Sequence, residues 1–124
     1  MANEAEALWR YHKYVVMMHG YEHYNHIKEC MKSHVSYETL EEEIFKIYKQ
    51  HDINKGALLN TFSHLWGYFK KYATNEEKDT YMSLYGAFQK DEASDKELID
   101  YIRNLVQKYD QKYLKQSYIM QFNG

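Results

Sequence analysis

From Leu58 to Ala73, the residues Leu58, Phe62, Leu65, Phe69 and Tyr72 recur at steps of three and four. Trp66 and Ala73 widen the stripe. That spacing puts a broad apolar band on one side of an α-helix and none on a strand, where the period is two. The same rhythm returns along the whole chain, which contains no proline to interrupt it. A chain so patterned has to bury helix against helix. We therefore expect an all-α fold: a single compact antiparallel helical bundle of five to seven helices over residues 1–124, a length that suits one core.

Helix starts are legible from capping chemistry. Asn3 can cap a first helix running to His19, with Glu4 and Glu6 in its first turn and Gly20 as a stop. A second helix follows almost at once, turning Tyr24, Ile27 and Met31 inward. Ser36 caps a third, carrying Leu40, Ile44, Ile47 and Tyr48. Asn54 opens the central helix, which the spacing extends to about Ala73. Thr74 with Glu77, and Ser94 with Glu97, form capping-box patterns before two further helices. Residues 112–122 are too apolar for a free end, so Tyr113, Leu114, Tyr118 and Phe122 should dock.

Composition narrows the function classes. The 14 tyrosines make the core edges amphipathic, and exposed ones can form a contact surface for a protein partner or a homodimer. A net charge of −2 gives no general attraction to nucleic acid or acidic membranes. Lys70, Lys71, Lys108, Lys112 and Lys115 read as solubilising charges. One cysteine excludes an internal disulfide, and no apolar run could span a bilayer, so a cytoplasmic setting is expected.

Polar residues on the apolar helices carry the remaining signal. Leu8, Tyr11, His12, Val15 and His19 share one face of the first helix, with Arg10 and Lys13 on the opposite flank. His64, Tyr68 and Lys71 share a flank of the central helix, and Gly67 lies behind its apolar stripe, where a second backbone could approach. His19, His23, His26 and Cys30 would line up as zinc ligands on an unbroken helix, but Gly20 interrupts it. The cluster reads as solvated, and the sequence assigns no metal ligand and no cofactor.

Three segments carry a family resemblance. They are Lys13-Tyr-Val-Val-Met-Met-His19 followed by Tyr24 and Ile27, then His64-Leu-Trp-Gly-Tyr-Phe-Lys70, and finally Tyr113-Leu-Lys-Gln-Ser-Tyr118. In this order they resemble the YbgA family, a bacterial and archaeal domain with no established biochemical role. Many longer members carry a proline-containing apolar stretch where this chain has Lys90 to Leu98. Fusion of some members to a domain resembling iron–sulfur thiouracil desulfidases implies an accessory role near a nucleobase-like substrate.

The polar residues within the matching segments are Lys13, His19, His64, Tyr68, Lys70 and Gln116, with Trp66 beside them. A pocket between the first and central helices would use lysine as a charge, imidazoles as donors or acceptors, and Trp66 or Tyr68 as stacking rings. Its ligand would be small and either anionic or nucleobase-like. Two alternatives stand beside this. His64 and His19 could run acid–base catalysis, or the histidines could be purely structural in a protein-interaction or homodimerisation module. No residue is assigned a catalytic role.

Overall fold

The computed structural model describes residues 3–123, and every regular element among them is helical. In order they are α1 (Glu4–His19), α2 (Tyr21–Lys32), α3 (Tyr37–Gln50), α4 (Lys55–Trp66), α5 (Asn75–Gln89), α6 (Asp95–Lys108), α7 (Lys112–Lys115) and a closing 3₁₀ turn, Tyr118–Met120. This is the expected all-α bundle. None of these helices is long and apolar enough to cross a membrane.

The capping residues act as their chemistry requires. Asn3, Ser36, Asn54 and Thr74 each accept a backbone N–H of the turn that follows, which satisfies donors the helix itself leaves unpaired. At Thr74 the box is complete, with Glu77 accepting the Thr74 N–H at 2.8 Å. At Ser94 only half of it forms, since Ser94 Oγ accepts from the Glu97 N–H at 3.2 Å. Glu77 gains further partners from α6, accepting from Lys108 at 2.6 Å and from the Tyr109 hydroxyl. One carboxylate thus ties the start of α5 to the end of α6.

Gly20 serves as both the last cap of α1 and the first of α2, at φ 146°. L-residues rarely adopt that angle, and a Cβ there would approach the Glu22 carboxylate to 2.6 Å. Gly20→Ala is expected to lower stability by about 1–3 kcal/mol, read as a drop in the thermal midpoint. An unchanged midpoint would show that the α1–α2 corner relaxes freely.

The central helix is shorter than its periodicity predicts. Regular hydrogen bonding stops at Trp66, and residues 67–72 continue as a run of turns in which Phe69 N–H donates to Trp66 O and Ala73 N–H to Phe69 O. Phe69 stays fully buried, so the apolar spacing persists although the helix has ended. Gly67 also differs from expectation. What a Cβ would meet there is the His64 carbonyl, at 3.0 Å, rather than a second helix.

Helix α1 lies in the middle, packed against α2, α3, α4 and the 3₁₀ turn. It joins two cores. The larger collects Val15, Met18, Leu58, Phe62, Phe69, Leu98, Ile102 and Val106, and the smaller collects Val16, Ile27, Leu40, Ile44 and Ile47. The tail docks as expected through Leu114, Tyr118 and Phe122, joined by Ile119, while Tyr113 is more exposed. Arg103 fixes it by donating to the carbonyls of Ile119, at 2.8 Å, and Phe122.

Candidate functional site

Helices α1, α2 and α4 leave an open groove of about 380 Å³ between them. Its walls are Lys13 and Met17 from α1, Tyr21, Tyr24 and Lys28 from α2, and Ala57, Asn60 and His64 from α4. Each helix contributes residues four apart, the spacing that stacks side chains along one face. Two lysines and an imidazole converge here, and no carboxylate is among the lining residues. The aromatic wall is continuous, with Tyr21 stacked on Tyr24 at 6.0 Å and Trp9 against Tyr24 at 5.5 Å. Tyr21 is 69 % exposed, leaving ring surface open to solvent. Lys28 and Lys13 lie over the rings of Tyr24 and Tyr14, each 5.4 Å from the centroid.

Behind this groove the three motif segments meet. Tyr14 is buried beside His64, and its hydroxyl is 2.8 Å from that of Tyr68. Burial and this hydrogen bond push the Tyr14 proton affinity well up, so the phenol stays neutral. Tyr68 in turn stacks on Tyr113 at 6.4 Å. Gln116 does not reach the groove; it lines a separate surface hollow with Ala7, Arg10, Tyr11 and Tyr113.

The remaining sequence-selected residues lie elsewhere. His19 faces α3 and the tail, 5.2 Å from Tyr48 and 6.0 Å from Phe122 between ring centres. Its Nδ1 donates to Val15 O at 2.7 Å, which fixes the tautomer, and burial lowers its proton affinity. Trp66 is buried on the α5 side, stacked on Tyr81 at 4.6 Å and 7°. Lys70 is exposed on the turns after α4. Lys13 and His64 are thus the two selected residues that share the groove. Lys28, Asn60 and Tyr21 join them there, and the four-residue spacings Tyr24–Lys28 and Asn60–His64 are the sequence signal for two of the three.

A second polar aromatic cluster surrounds a buried histidine. His12 is 5 % exposed, with Nδ1 2.9 Å from the Tyr48 hydroxyl and Tyr11, Phe45 and Tyr118 around its ring. Desolvation drives its pKa down to about 4, so it is neutral at physiological pH. This histidine holds α1, α3 and the tail together.

No curated protein and no solved structure matches the chain. A family model described as a protein of unknown function, DUF1722, matches residues 13–123, and the chain belongs to that family.

Proposed function

We propose that this chain is a YbgA-like binding or accessory module of the cytoplasm, and that its ligand is a small anionic molecule carrying a flat, nucleobase-like ring. The observation that carries this reading is the convergence of Lys13, Lys28 and His64 on a tyrosine-walled groove whose lining includes no acid. The lysines supply charge to a phosphate or carboxylate, His64 and Asn60 supply directional hydrogen bonds, and Tyr21 offers its open face for stacking. His19, turned to the opposite side of α1, is not part of this ligand's surroundings.

The test is thermal stability of the purified chain against nucleosides, nucleotides, thio-nucleobases and inorganic phosphate, since a ligand that binds only the folded state raises the midpoint. A nucleotide or thio-nucleobase is expected to raise it. Lys13→Ala and Lys28→Ala should each weaken that ligand about tenfold or more, the scale of one charged hydrogen bond, while the unliganded midpoint changes little. No rise across the panel, or the same rise in the double variant, would end this reading.

A further inference from the structure

Helix α2 has two working faces. Tyr24 and Lys28 point into the groove, whereas His26 and Cys30 are offset from them by two residues, about 200° around the helix, and face α3. There they meet Glu43. His26 Nε2 lies 2.7 Å from Glu43 Oε1 and 3.9 Å from Cys30 Sγ. All three donor atoms fall within 4.8 Å of one another. We infer that this seam is a binding site for a thiophilic divalent cation, zinc in the first place, with Cys30 Sγ, His26 Nε2 and Glu43 Oε1 as ligands and water completing the tetrahedron.

The donor chemistry selects the ion. A thiolate, an imidazole and a carboxylate suit zinc, whereas magnesium and calcium take oxygen ligands. A tetrahedral zinc with its usual bond lengths holds N, O and S donors roughly 3.3–3.7 Å apart. The existing spacings bracket that range, so binding needs Glu43 Oε1 to part slightly from His26 and the sulfur to close in. The three side chains are at least partly exposed, so rotation about their own bonds is the adjustment that binding calls for. His26 and Cys30 are one turn apart on α2 and move as a unit, and Glu43 clamps them from α3.

Local charges are arranged for it. Lys46 pairs with the other Glu43 oxygen, Oε2, at 2.9 Å, so Oε1 is engaged by His26 alone. Hydrogen bonds from Lys46 and His26 lower the Glu43 pKa, so the carboxylate is anionic before any metal arrives. Burial and the nearby Glu43 charge raise the Cys30 pKa, so the free thiol keeps its proton. The metal must displace that proton to solvent as the sulfur–metal bond forms, and His26 must give up the Nε2 proton it shares with Glu43, by transfer to Nδ1 or to solvent, so affinity should rise with pH. Beyond the trio, His23 and His51 stand ring to ring at 4.3 Å in the same hollow of about 150 Å³. Burial, then the proximity of His51, lowers the His23 pKa. That pair is the competing place for a metal.

The metal-free full chain should be titrated with Zn²⁺ against a chromophoric chelator, and with Co²⁺ followed by absorption. The expected result is one ion per chain and a thiolate-to-cobalt charge-transfer band. Cys30→Ser should abolish that band, and Cys30→Ser, His26→Ala and Glu43→Gln should each weaken Zn²⁺ by about tenfold or more. All three side chains are partly or fully exposed, so the metal-free midpoint of each variant serves as the fold control. Absence of the band in the unmodified chain would overturn the assignment. So would full affinity in Cys30→Ser, or binding that disappears with His23→Ala or His51→Ala while the three variants above retain it.

Discussion

Trp66→Ala is expected to cost about 3–5 kcal/mol of unfolding free energy, the range for truncating a buried tryptophan. The side chain is 7 % exposed and lies nearly parallel to Tyr81, with Tyr101 6.4 Å away. Its removal opens a cavity where α4, α5 and α6 meet. For a domain whose total stability is about 5–15 kcal/mol, that is a large fraction. Denaturant unfolding of the alanine and phenylalanine variants measures it. Phenylalanine should restore much of the loss and leave ligand binding in the groove unchanged. A loss below about 1 kcal/mol in the alanine variant would mean that the α4–α5 contact contributes little, and weakened ligand binding by a stable phenylalanine variant would bring Trp66 back into the site.

Acid should weaken the fold through His12. Its folded pKa, about 4, lies below the ordinary 6.5 because burial disfavours the imidazolium. The unfolded chain therefore takes up a proton that the folded chain refuses. The stabilisation is complete above pH 6.5 and is lost as pH falls toward 4, at up to about 1.4 kcal/mol per pH unit and about 3 kcal/mol in all. His19 and His23, also lowered by burial, act in the same direction. Glu77 adds to this only at lower pH. Desolvation alone would raise its pKa, but Lys108, Tyr109 and the Thr74 N–H hold it at about 2, so its contribution fades below the usual carboxylate range. His12→Phe is expected to lower stability at pH 7, because the Tyr48 hydroxyl loses a partner, and to flatten the slope between pH 6.5 and 4. Equal slopes in both proteins would remove His12 as the acid-sensitive group.

Local chemistry was legible in the sequence and tertiary meeting was not. Asn3, Ser36, Asn54, Thr74 and Ser94 could be read as caps because each partner lies within three residues. The end of α4 could not, since Phe69 and Ala73 keep an apolar spacing through turns that are no longer helix. Of the seven residues that the sequence suggests for a pocket, two line the same groove. Lys13 and His64 do share a groove, but His19 sits six residues beyond Lys13, about 240° around the helix and about 9 Å along it, which places it on another face. The meeting of Glu43 with Cys30 depends on how α3 folds back onto α2, which no spacing along the chain encodes.

The division into two cores bears on how the molecule opens. α2 has one fully buried residue, Ile27, and α3 has three, all belonging to the smaller core that α1 touches through Val16. The remaining helices are held by the larger core on the other face of α1. Opening of the α2–α3 hairpin alone would expose little apolar surface compared with global unfolding, so its amides should exchange with solvent at a lower free energy. The groove and the proposed zinc site both use α2. Either ligand would therefore act as a latch on this hairpin, and each would slow the exchange of amides it does not touch.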